Sequence, residues 1–136
     1  MIQLLQRGIR LGGAADPYPQ LIASLTVGFT TSLALAQKNG VELDKMMGIL
    51  RSSALYAPQF DKKMNMWQSR EYGTANFPLK HLLKDVRLFA TEARKSDIDD
   101  TLLNAMEKTI KDCVDRGYQD ADYSAIYESV FDPKKK

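Results

Sequence analysis

The chain has 136 residues, 44% hydrophobic and 26% charged, which is the composition of a folded domain with a core and not of a disordered chain. A formal charge of +2 is too mild to imply a nucleic-acid partner, and the clearest basic run, Lys134 to Lys136, reads as a solvated tail. The single cysteine, Cys113, excludes an internal disulfide and fits a reducing, cytoplasmic setting.

In chain order, Met1 to Gly13 is apolar in part, but Arg7 and Arg10 interrupt it, so no continuous signal-peptide core exists. Pro17 to Gln37 carries no charge and is long enough to span a bilayer. Its polar positions (Gln20, Ser24, Thr26, Thr30, Thr31, Ser32 and Gln37) and its flanking punctuation favour a helix buried on most sides of a helical domain, with no membrane partner. Asp16 is placed to cap that helix, Pro17 to occupy its first position, and Asn39-Gly40 to supply a left-handed stop.

Leu43, Met46, Met47, Leu50 and Ala54 fall at three- and four-residue spacing and predict a second helix. Phe60, Met64 and Trp67 predict a third after Pro58, and Ser69 to Asn76 is the main internal loop. A fourth helix starts near Phe77-Pro78. Its apolar stripe is Leu79, Leu82, Leu83, Val86, Phe89 and Ala93, and Lys80, Lys84, Arg87 and Thr91 form another face. A fifth begins near Asp99 to Thr101, turns Leu102, Leu103, Met106, Ile110, Cys113 and Val114 inward, and stops at Gly117. Glu107 with Lys111 and Asp112 with Arg116 are spaced as ion pairs. Asp122 caps a last helix bearing Tyr123, Ile126, Tyr127 and Val130. The fold class is therefore all-α, a single domain of about six helices around a long apolar first helix. It is divided as 1–15 (N-terminal segment), 16–131 (helical domain) and 132–136 (basic tail).

The run Asn76-Phe77-Pro78-Leu79-Lys80-His81-Leu82-Leu83-Lys84-Asp85 and the turn Gly117-Tyr118-Gln119-Asp120-Ala121-Asp122-Tyr123-Ser124-Ala125 stand about 30 residues apart. With Ser32 to Gly40, they resemble the C-terminal helical domain of the 3-hydroxyisobutyrate dehydrogenase (β-hydroxyacid dehydrogenase) family, whose fold is that of the 6-phosphogluconate dehydrogenase C-terminal domain. The resemblance covers roughly Gly12 to Phe131. It implies that the relatives hold NAD(P) in a separate Rossmann domain, and that the helical domain completes the substrate pocket and makes subunit contacts. In those relatives a lysine near the start of the long helix moves the hydroxyl proton.

The chain departs from the family pattern there. The family carries Gly-x-x-x-Lys-x-x-Asn-Asn, whereas here no lysine precedes Lys38 and no asparagine precedes Asn39. Ala15 or Asp16 falls at the lysine position, and neither can stabilise a developing alkoxide as an ammonium does. Gly8, Gly12 and Gly13 lack the spacing of a pyrophosphate turn. No catalytic residue is therefore assigned. Lys84 is the position that carries over, as a vestigial cofactor-facing lysine, beside the plainer reading of a solvated lysine. Asp85, one turn after His81, is read as structural, His81 as a surface residue, and Cys113 as core. No cofactor is expected for the chain alone, and NAD(P) only with a Rossmann partner. The readings left open are an inactive oligomerisation module (a homodimer), the helical half of a split dehydrogenase docking a separate Rossmann chain, and a degenerate or truncated product.

Overall fold

The computed structural model describes residues 17–132, which form six α-helices and no strand. These are α1 (Tyr18–Lys38), α2 (Leu43–Arg51), α3 (Pro58–Ser69), α4 (Leu79–Lys95), α5 (Thr101–Cys113) and α6 (Tyr127–Val130). A π-helical turn, Val114–Tyr118, prolongs α5, and a 3-10 turn, Tyr123–Ile126, leads into α6. The expected all-α architecture, with its long first helix, is the one observed. The expected cap at Asp16, the segment Met1 to Gly13 and the lysine tail lie outside the described residues.

α1 has Pro17 before its first turn, and its end is closed by Asn39 and by Gly40 at φ +79°. Its buried hydroxyls are satisfied locally. Thr26 donates to the Ile22 carbonyl and Thr30 to the Thr26 carbonyl, each at 2.7 Å, so neither polar group is stranded in the core. Phe29 stacks on Phe60 with centroids 4.4 Å apart and leans on Trp67 at 4.7 Å, which fastens α3 to α1. α4 and α5 lie against each other and against α1, and α6 closes over the other end of α1. Leu33, Met47, Leu82, Val86, Met106, Ile110 and Ile126 fill the centre.

Several expectations need correction. α2 ends at Arg51, so Ala54 is an exposed turn residue and not part of the apolar stripe. Leu102 is 60% exposed, because the buried stripe of α5 starts one residue later at Leu103. Phe89 is half-buried while Ala90 takes the inward place on α4. Glu107 pairs with Arg87 of α4 at 2.7 Å instead of Lys111, which instead reaches Asp115 at 2.5 Å. The Asp112–Arg116 pair forms as expected, at 2.9 Å. The largest correction concerns α1. It is long and apolar enough to cross a membrane, yet the fold buries only 39% of its most apolar window.

Candidate functional site

The two sequence segments that carry the resemblance meet in space. The backbone N–H of Leu79 donates to the Ala121 carbonyl at 2.9 Å, and that of Lys80 to the Gln119 carbonyl at 3.0 Å. Tyr123 N–H donates to the Phe77 carbonyl at 3.1 Å, and Pro78 and Asp122 form an isolated bridge. The first turn of a helix has backbone donors with no partner inside the helix. Here the Gly117–Ala125 turn supplies the acceptors, because Pro78 offers no capping side chain.

Asp122 is the centre of this junction. Its side chain is fully buried and accepts four hydrogen bonds: Oδ1 from Ser124 N–H at 3.0 Å and from the Ser124 hydroxyl at 2.7 Å, and Oδ2 from Asn76 N–H at 3.1 Å and from Lys63 Nζ at 2.8 Å. The cap expected of Asp122 is thus present, though on a 3-10 turn. The Lys63 ammonium also lies over the Tyr123 ring, 4.6 Å from its centroid. Burial pushes the Tyr123 phenol up to about 12, with the neighbouring Asp122 charge a smaller contribution. Trp67 Nε1 donates to the Ser124 carbonyl at 3.1 Å, and the Cys113 thiol donates to that of Ala125 at 3.1 Å. The role of Lys63 was missed in the sequence. The available signal was a lysine three residues after Phe60 and four before Trp67, inside the apolar face of α3.

Lys84 lies one turn beyond Lys80 on the exposed face of α4. Lys80 reaches Asp120 at 2.5 Å and Arg87 reaches Glu107 at 2.7 Å, whereas Lys84 is exposed and makes no ion pair among the described residues. An exposed ammonium between two paired cations can attract an anion electrostatically. A proton relay would need an adjacent acid or base, and the carboxylates that reach this face, Asp120 and Glu107, are engaged by Lys80 and Arg87. His81 is exposed and Asp85 half-buried. The Cys113 thiol is pushed up to about 11, chiefly by burial, which keeps it protonated and unreactive near neutrality. Among the described residues no group of three or more His, Cys, Asp or Glu side chains is arranged to hold a metal ion.

A second concave surface of about 560 Å³ opens between α1, α2, α3 and the chain end, lined in part by Gln37, Asp44, Trp67, Arg70 and Phe131. Its polar groups are mostly engaged with one another. Arg70, in the left-handed region at φ 57°, ends α3 and forks onto Glu128, with Nε 2.9 Å from Oε1. Its guanidinium lies over the Tyr127 and Phe131 rings. Tyr72 donates to the same Glu128 carboxylate at 2.7 Å, and burial with this bond drives its phenol far above the usual range.

Residues 20–130 match the family model described as NAD-binding of NADP-dependent 3-hydroxyisobutyrate dehydrogenase. Glyoxylate/succinic semialdehyde reductase 1 of Arabidopsis thaliana is 31% identical over 110 residues, covering 81% of this chain and 38% of the reductase. Glyoxylate/succinic semialdehyde reductase 2, chloroplastic, of the same plant is 28% identical over 110 residues, covering 81% and 30%. The crystal structure of 3-hydroxyisobutyrate dehydrogenase from Salmonella typhimurium superposes with a TM-score of 0.69 at 24% identity, over 80% of this chain and 38% of that one. The chain thus spans about a third of the length of the proteins it matches, and the last comparison speaks to fold.

Proposed function

The chain belongs to the family of the NAD-binding part of NADP-dependent 3-hydroxyisobutyrate dehydrogenase, and from that premise we propose that it is a non-catalytic member acting through association. The observation that carries this reading is the start of α1. Its first turn holds Tyr18, Pro19 and Gln20, and no lysine occurs before Lys38 or asparagine before Asn39. Without a lysine there, the substrate hydroxyl has no amine beside it to take its proton, and the developing alkoxide has no ammonium to stabilise it. The remaining assets of the chain are structural: a tightly cross-bonded helical body and a first helix with an uncovered apolar face. A homo-oligomer in the reducing cytoplasm is the working form this reading predicts.

One observation favours a second reading, the helical half of a split NAD(P)-dependent 3-hydroxyacid dehydrogenase. Lys84 stands exposed between the paired Lys80 and Arg87, where a separate Rossmann chain could present a cofactor anion to it. The purified chain assayed with small 3-hydroxy acids and NAD(P) tests both. The first reading expects no saturable reduction of the cofactor and no micromolar binding. Saturable reduction by the chain alone, abolished by Lys84→Ala, would overturn it. Turnover that appears only when a Rossmann-domain chain is added, and is lost in Lys84→Ala, would establish the second.

A further inference from the structure

We infer that the concave surface at the end of α1, walled by α2, α3 and α6, is a binding site for a small organic cation, an alkylammonium carried on an apolar stem.

Its volume of about 560 Å³ is that of a pocket able to hold a small molecule. It stands away from the start of α1, where the family pattern places its lysine. Gln37 on its wall and Tyr18 in the first turn are about 28 Å apart along the helix, at 1.5 Å per residue. A ligand held here is therefore separate from any hydride-transfer chemistry.

The lining selects the sign of the ligand's charge. Leu43, Trp67 and Tyr127, each nearly buried, make an apolar floor. Glu42 and Asp44 stand beside it at the start of α2. Asp44, in the first turn, favours the helix dipole. Glu42 has no such duty that the structure shows: it is exposed, caps no backbone amide, and makes no side-chain hydrogen bond or ion pair among the described residues. Asp44 Oδ1 accepts from the neutral amide of Gln68 at 3.2 Å, which leaves its charge without an ion-pair partner among the described residues and leaves Oδ2 and Gln68 Oε1 to accept from a ligand.

The cations nearby are committed elsewhere. Arg70, the one cation among the described lining residues, forks onto Glu128 and lies over the Tyr127 and Phe131 rings. Lys38, just past Gln37, rests 5.3 Å from the centroid of the Phe131 ring. Two carboxylates thus border an apolar floor with no ammonium or guanidinium paired to them. An anion would meet like charge there, and a neutral apolar molecule would cover the floor while desolvating the carboxylates without a partner. An alkylammonium satisfies both, its stem on Leu43 and the aromatic edges and its donors on Glu42, Asp44 and Gln68.

Trp67 is the only tryptophan in the sequence and stands in the floor, so its fluorescence reports occupancy in the full chain. Phenethylammonium should change that emission saturably, whereas 2-phenylethanol and 3-phenylpropionate, with similar stems but no positive charge, should bind at least about tenfold more weakly. Glu42→Gln should weaken phenethylammonium binding about threefold, and Glu42→Gln combined with Asp44→Asn about tenfold, the range for exposed charge pairs. Gln68→Lys gives the pocket an ammonium of its own and should abolish binding with unchanged far-ultraviolet circular dichroism. If that variant loses helicity, the two carboxylate substitutions decide. Equal binding of the alcohol, tighter binding of the carboxylate, or an emission change that never saturates overturns the site. So does phenethylammonium binding that survives the paired substitution. Failure on any of these counts leaves the association reading standing, since that reading rests on the start of α1.

Discussion

Lys63 and Asp122, 59 residues apart in the chain, place an ammonium and a carboxylate 2.8 Å from each other with both side chains almost wholly removed from solvent. Exposed ion pairs contribute little, but breaking a buried one leaves a charge with no water and no partner. Asp122→Ala strands the Lys63 ammonium together with the Asn76 and Ser124 N–H groups, and should cost about 3–5 kcal/mol in urea unfolding. Lys63→Met should cost less, since three donors still hold Asp122 and the methionine stem fills the same space. Equal stability of the two variants would show that the carboxylate network does not depend on being complete.

On α4, Val86 is fully buried and Phe89 half-buried, whereas the Lys80–Asp120 pair is exposed. Val86→Asp should unfold the domain, because an unpaired buried charge costs several kcal/mol against a total stability of about 5–15. Phe89→Asp should lower the melting temperature without abolishing the transition. Lys80→Ala should lie within about 1 kcal/mol of the parent. Thermal melts followed by circular dichroism rank the three.

Cys113 links stability to alkaline pH. Its thiol titrates near 9.0 when unfolded and at about 11 in the fold, raised mainly by burial. Because the folded value is the higher one, the stabilisation is complete below pH 9 and is lost as pH rises toward 11, where the unfolded state has released its proton and the folded state has not. The loss should reach about 2–3 kcal/mol at 1.36 kcal/mol per unit. Urea midpoints at pH 8 and pH 10.5 should fall further for the parent than for Cys113→Ala. Parallel pH profiles would show that the thiol is not the group responsible.

Gly117 sits inside the π-helical turn at φ +98°. No neighbour lies within 4 Å of a Cβ added there, so the cost of Gly117→Ala is backbone strain alone, about 1–3 kcal/mol. Gly28→Ala, in a helix interior at ordinary φ, should instead stabilise the isolated chain slightly. Opposite signs for the two variants in denaturant unfolding are the expected result.

Most of the fold was legible because its helices announce themselves by spacing. Leu79, Leu82, Leu83 and Val86 form one stripe, and Asn39-Gly40 and Gly117 stop helices where expected. Errors arose where tertiary contacts override local pattern. Glu107 prefers Arg87 on a neighbouring helix to Lys111 on its own, which no spacing rule reveals. Leu102 and Leu103 are equally apolar, and only the packing of α5 on α4 and α1 decides which faces inward. Lys63 could be read as charged but not as buried, since its partner Asp122 arrives from the far end of the chain. The motif at Asp122 and its capping role were visible in the sequence, while its buried bonds to Lys63 and to the Asn76 amide were not.

The start of α4 is held by acceptors some forty residues away, Ala121 for the Leu79 amide and Gln119 for the Lys80 amide. Amides at a helix N-terminus ordinarily exchange their hydrogens with solvent quickly, because fraying exposes them at little cost. Here the two ends of the bond belong to segments that separate only when the domain opens as a whole. Leu79 and Lys80 should therefore exchange deuterium at the pace of global unfolding, slower than amides in the middle of the peripheral helix α2, so that the first turn of one helix reports on the integrity of the entire molecule.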